Sequence, residues 1–156
     1  MNTIREIRPE ELHLLLDFLY DAIFVPEGET QPDKSILDRP ELQVYIEHFG
    51  ECEGDKCLVA EAGGTIAGAV WVRIMNDYGH IDDETPSFAL SVRKKYRRQG
   101  IATSLMRAML GLLRKAGYTR ASLSVQKANF AVNMYTKLGF EIFSENDEEY
   151  IMLLQF

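Results

Sequence analysis

The chain has 156 residues, 17 Lys and Arg against 24 Asp and Glu, a formal net charge of −7, and 46% hydrophobic residues. That length and composition fit one ordinary globular domain with a real core. They argue against nucleic-acid binding, which needs a broad basic surface, and against a membrane span, which needs about 20 successive apolar residues.

Met1 to Arg5 contain no signal-peptide core, so a cytoplasmic protein is expected. Thr3 to Ile7 reads as a first strand. Pro9 then stands where a first helical turn tolerates proline, and Leu12, Leu15, Leu16, Leu19 and Ile23 follow at helical spacing for about four turns. Phe24 to Asp38 reads as loop, because Pro26, Gly28 and Pro32 interrupt any regular element. Pro40 opens a second helix with Leu42, Tyr45, Ile46 and Phe49 on one face, and Gly50 ends it. Cys52 and Cys57 are too few for a disulfide framework. No His pair beside them completes a zinc site, so they read as reduced thiols and no metal is expected.

Cys57–Glu61 and Thr65–Met75 read as two strands joined at Ala62-Gly63-Gly64. After the acidic stretch Asn76–Thr85, a strand over Ser87–Val92 carries Phe88, Leu90 and Val92 on one face. The helix beyond Gln99 turns Ile101, Leu105, Ala108, Met109, Leu112 and Leu113 inward and ends near Gly117. A strand through Ala121, Leu123 and Val125 follows, then a helix from about Asn129 to Leu138. Phe140–Ser144 and Tyr150–Leu154 close the chain as a hairpin. The order β-α-α-β-β-β-α-β-α-β-β predicts an α/β mixed sheet with helices on both faces. Residues 87–125 make a parallel right-handed crossover, and a ligand would sit at the carboxyl ends of its strands.

That edge carries the most informative stretch, Arg93 to Leu105. Five cations fall within residues 93–98, followed by Gly100, Ala102 and Thr103 where a helix begins. The first amides of a helix lack internal acceptors and sit at the positive end of its dipole, so small residues there suit a phosphate. The cations alone fit a nucleic-acid patch or a solvated loop equally well. On a chain this acidic, a small polyanion suits them better.

These motifs resemble those of the GNAT superfamily of acyl-CoA-dependent N-acetyltransferases. Arg97, Gly100 and Ala102 match its Arg/Gln-x-x-Gly-x-Gly/Ala signature, and Asn129, Tyr135 and Gly139-Phe140 match an Asn-x5-Tyr-x3-Gly-Phe block. The resemblance covers nearly the whole chain and implies a mostly antiparallel sheet of six or seven strands with a central parallel pair. It implies acetyl-CoA as cofactor. The backbones of Leu90 and Val92 would pair with the pantetheine arm. The amides of Arg98, Gln99, Gly100, Ile101, Ala102 and Thr103 would cradle the pyrophosphate, with the side chains of Arg97 and Arg98 beside it. Asn129 would bond the pantetheine arm, cap the last helix, or both.

Acetyl transfer to an amine needs a polarised carbonyl, a neutral amine and a proton for the thiolate. The resemblance gives the first to the Val92 amide and the last to Tyr135, whose phenol is protonated at neutral pH. Relatives often carry a glutamate where this chain has Ser87. That leaves Glu84, Asp83, Asp82, His80 or a bound water as the base, and Glu84 is favoured. Phe24, Glu27, Trp71, Arg73, Asn76, Tyr78 and His80 are the candidate substrate-lining residues. Asp77, Asp82, Asp83, Glu84, Glu27 and Glu29 would attract a cationic amine, whereas Arg73 would anchor a carboxylate. The expected protein is a monomer or homodimer acting on a primary amine of a small molecule, peptide or protein. A non-catalytic acyl-CoA-binding module is the alternative.

Overall fold

A computed structural model describes residues 2–156. Seven strands form one sheet: Asn2–Glu6 (β1), Lys56–Ala62 (β2), Thr65–Arg73 (β3), Ser87–Val92 (β4), Arg120–Gln126 (β5), Glu141–Glu145 (β6) and Glu149–Gln155 (β7). Their spatial order is β1-β2-β3-β4-β5-β7-β6, and among the described residues only β4 and β5 run parallel. The α-helices are Leu14–Ala22 (α1), Pro40–Gln43 (α2), Ile101–Lys115 (α3) and Ala131–Leu138 (α4). The element order is the expected one. Among the described residues no helix is long and apolar enough to cross a membrane.

Strand alternation builds two cores. Leu58, Ala60, Val70 and Val72 face the α3 side and pack with Leu105, Met109 and Leu113. Cys57, Val59, Ala69 and Trp71 face the other way, onto Leu15, Phe18 and Leu19 of α1. Because both faces of β3 are covered, Ala67 to Val72 is fully buried and reads as an unbroken apolar run. On α3 the ridge Ile101-Leu105-Met109-Leu113 is buried as expected. The flank that joins it is Met106 and Leu110, while Ala108 and Leu112 are only half-buried. Periodicity fixed the ridge, and tertiary neighbours chose the flank.

Three local expectations need correction. Pro9–Glu11 is a separate 3-10 turn, so α1 proper starts only at Leu14. The expected loop contains another 3-10 turn, Lys34–Asp38, capped by Asp33 accepting from the Ser35 amide at 2.9 Å. The second helix stops after one turn. The carbonyls of Val44 and Glu47, which a longer helix would use, accept instead from Arg73 Nη1 at 3.1 and 2.8 Å, and His48 turns left-handed at φ 53°.

Arg73 is therefore a clamp and does not reach the substrate cleft. Its Nε and Nη2 also donate to Asp55 at 3.2 and 3.0 Å, and both partners are buried. The clamp fixes the segment after α2, including Tyr45, against β3. Truncating one member of a buried pair strands the other charge, which costs about 3–5 kcal/mol. Urea denaturation of Arg73→Ala should show that loss as a lowered midpoint at unchanged slope. A loss below about 1 kcal/mol would mean that the clamp adds nothing beyond an exposed pair.

Candidate active site

The site forms where β4 and β5 part. Their recorded pairing is Ser87 with Ser122, supported by the Ser122 amide donating to Pro86 O at 3.0 Å. On its other edge β4 pairs with β3 over its whole length. The Arg93 amide donates to Ala67 O at 2.8 Å. Antiparallel bonding alternates, so Ser91, Ala89 and Ser87 also bond toward β3, and the backbone of Phe88, Leu90 and Val92 faces β5 and the splay. Arg97 Nε donates to the Val92 carbonyl at 2.9 Å, leaving the Leu90 groups and the Val92 amide open.

The turn after β4 leaves a run of backbone amides without acceptors. Arg93 is tied down, donating from Nε to Ile66 O at 3.1 Å with its guanidinium 4.6 Å from the Phe18 ring centroid. Arg98 and Gly100 both adopt left-handed conformations, at φ 63° and 81°. For a non-glycine residue that is a strained conformation, of the kind that clusters at ligand sites. The two left-handed residues bracket Gln99 and bend the chain just ahead of α3. No amide from Arg98 to Thr103 has an acceptor within the described chain; the first bond is Ser104 N to Gly100 O at 3.1 Å.

A cleft of about 460 Å³ opens along the splay. Its walls come from α1 and the loop after it (Leu19, Phe24), the α2 region (Arg39, Glu41, Tyr45), β4 (Phe88, Leu90), β5 (Ser124), Asn129, Tyr135 and the last hairpin (Asn146, Glu148, Glu149). Tyr135 is 9% exposed, and its ring packs edge-on against Phe140 at 5.9 Å. Its hydroxyl makes no hydrogen bond in the chain, and burial pushes its pKa up, which keeps the phenol protonated across the neutral range. Asn129 Oδ1 accepts from the Ala131 amide at 2.9 Å, so it caps α4 while lining the cleft.

Of the predicted site residues, Phe24, Tyr78, Leu90, Asn129 and Tyr135 meet at this cleft. Val92 and the Arg97–Thr103 turn lie beyond it along β4 and at the start of α3. Others do not line it. Trp71 is fully buried and donates from Nε1 to Tyr45 O at 3.0 Å. Arg73 is the clamp described above. His80 Nδ1 is bound at 2.8 Å to Met75 O, while Glu27, Asn76 and Glu84 are exposed on loops outside the wall. Asp82 pairs with Arg120, and Asp83 is exposed. Sequence reading missed Tyr45, Ser124, Arg39, Glu41, Glu148 and Glu149 as lining residues. Nothing local marks them. Among the described residues no cluster of three His, Cys, Asp or Glu is placed to hold a metal.

Comparison with known proteins agrees with this architecture. Residues 16–140 match the model of the acetyltransferase (GNAT) family. N-acetyltransferase 8 from Rattus norvegicus is 36% identical over 91 residues, 56% of this chain and 40% of that protein. An N-alpha-acetyltransferase from Sulfurisphaera tokodaii is 27% identical over 124 residues, 69% of this chain and 73% of its own length. The PaiA N-acetyltransferase of Thermoplasma acidophilum, crystallised in complex with coenzyme A, superposes with TM-score 0.73 at 18% identity, covering 100% of this chain and 99% of that one. The chain belongs to the GNAT acetyltransferase family. Its match spans about 40% of the length of N-acetyltransferase 8.

Proposed function

We propose that the protein transfers an acetyl group from acetyl-CoA to a primary amine within a ternary complex. The observation that carries this reading is the run of partnerless amides from Arg98 to Thr103, set at the end of β4 beside the splay from β5. Six N–H groups at a helix start would hold the diphosphate. The open Leu90 groups and the Val92 amide would take the pantetheine arm like an added strand, and Asn129 would meet it from β5's side. A coenzyme A complex of a protein with the same fold supports the choice of ligand.

When bound, the acetyl thioester supplies the activated carbonyl. The chain supplies the rest. An amide of β4 that faces the splay polarises the carbonyl oxygen, where charge develops in the transition state. Tyr135, protonated and with its hydroxyl uncommitted, donates to the departing sulfur. At the mouth, Glu41, Glu148 and Glu149 outnumber Arg39, a balance that favours a cationic acceptor.

A free-thiol release assay with acetyl-CoA over a panel of small amines, amino acids and peptides tests this reading. Thiol release that depends on one amine class is expected. Calorimetric binding of acetyl-CoA with no release over the panel would make the chain an acyl-CoA-binding module instead.

A further inference from the structure

Among the described residues one carboxylate has a buried oxygen without a partner, and it neighbours a side chain that lines the cleft. Asp77, on the loop between β3 and β4, accepts at Oδ1 from the Ser87 hydroxyl at 3.0 Å, while its Oδ2 is buried and accepts nothing in the chain. The network leaves little choice of donors. Ser122 Oγ donates to Gly79 O at 2.8 Å and Ser87 Oγ to Asp77 Oδ1, so the 3.3 Å contact between the two serine oxygens carries no proton of its own. The Tyr45 hydroxyl, from the segment after α2, lies against Asp77, Ser124 and the Tyr78 backbone. Tyr45, Tyr78 and Ser124 all line the cleft.

We propose that Asp77 receives the proton of the incoming ammonium, with the Tyr45 hydroxyl standing between the two; this rests on the transferase reading above. Tyr45 touches the substrate, and Asp77 acts through it. The ammonium gives one proton to the Tyr45 oxygen as the phenol gives its own to Asp77 Oδ2, so the phenol remains neutral. The amine lone pair then forms the C–N bond and the C–S bond breaks. The thiolate takes a proton from Tyr135, which regains one from the nitrogen as the amide forms. Asp77 returns its proton to water after product leaves. Ammonium and thioester thus become amide, thiol and one released proton.

The surroundings raise the carboxylate's affinity for a proton. The groups facing Asp77 are Tyr45 from the α2 segment, Ser87 from β4, and backbone N–H groups of its own loop, with Ser122 and Ser124 of β5 beside them. Among the described residues no cation pairs with it. Burial raises its pKa above the ordinary 3.8, and the Ser87 bond, together with the neighbouring Tyr45 hydroxyl, offsets that only in part. Only the ionised form accepts a proton, so kcat/KM rises with pH through that elevated value.

The test is the pH dependence of kcat/KM for the best amine in wild type, Asp77→Asn and Tyr45→Phe, with acetyl-CoA affinity measured alongside. Both variants should lose about 10²-fold at neutral pH while binding acetyl-CoA as wild type does. Their rise in kcat/KM should move from the carboxylate's range to the pKa of the amine itself, near ~10 for an alkyl amine, where solution supplies the neutral nucleophile. A merely structural role would lower the curve without moving it. An unmoved rise in either folded variant overturns the proposal, and Tyr45→Phe decides alone if Asp77→Asn does not fold. Wild type that binds acetyl-CoA but releases no thiol overturns the transferase reading and this proposal with it. An active wild type with unmoved variants sinks only the latter.

Discussion

Gly100→Ala should weaken acetyl-CoA binding about 10²-fold while leaving a folded protein. Gly100 sits at φ 81°, immediately before α3, and a Cβ there would meet no atom of the chain within 4 Å. The free protein therefore suffers only the left-handed penalty of about 1–2 kcal/mol, or ~2–8 °C in Tm. The ligand suffers more. A methyl group would stand in the open space beside the unpartnered amides, and relaxing φ would swing those amides out of line. Each amide bond to a charged acceptor contributes about 1.5–3 kcal/mol, so losing the equivalent of two removes roughly two decades of affinity. Calorimetry with acetyl-CoA reads the effect. An unchanged Kd would place the diphosphate elsewhere.

Tyr135→Phe should lower kcat by about 10²-fold with little change in KM for acetyl-CoA. The substitution keeps the ring and its edge-on contact with Phe140, and removes a hydroxyl that has no bond in the chain, so stability should hold or rise slightly. A thiolate is a fair leaving group, with a pKa near ~8.5 for a cysteine-like thiol, which puts the loss at the low end of the range for general acids. The deficit should appear in single-turnover acetyl transfer, where product release plays no part. Equal loss of kcat and of acetyl-CoA affinity would make Tyr135 a packing residue.

What could be read in the sequence was local. The turn proposed to hold the diphosphate is legible because cations, Gly100 and small residues occur together at a strand-to-helix junction. The Asn129–Tyr135–Gly139 block is legible because one helix carries all of it, from a capping residue to the left-handed glycine at φ 106°. The sheet followed from period-two runs and two hairpin turns. What escaped was held together across the fold. Arg73 reads in the sequence as a lining cation that would anchor a carboxylate, and only Asp55 and two carbonyls from the α2 segment turn it into a clamp. Those same bonds cut short the expected second helix and so place Tyr45. Trp71 looked like a pocket aromatic, but strand alternation points it into the α1 core. Asp77 read as one acid among many in an acidic loop. Its burial depends on Ser87 and Tyr45, which lie 10 and 32 positions away in the chain.

The most direct measurement is a pair of calorimetric titrations of the wild-type chain, one with coenzyme A and one with pantetheine, which lacks the nucleotide diphosphate. Coenzyme A should bind with one site per chain and at least about 10²-fold more tightly than pantetheine, with an affinity that falls as salt rises. Equal affinities, or no heat with coenzyme A, would contradict the assignment of the Arg98–Thr103 amides to a diphosphate.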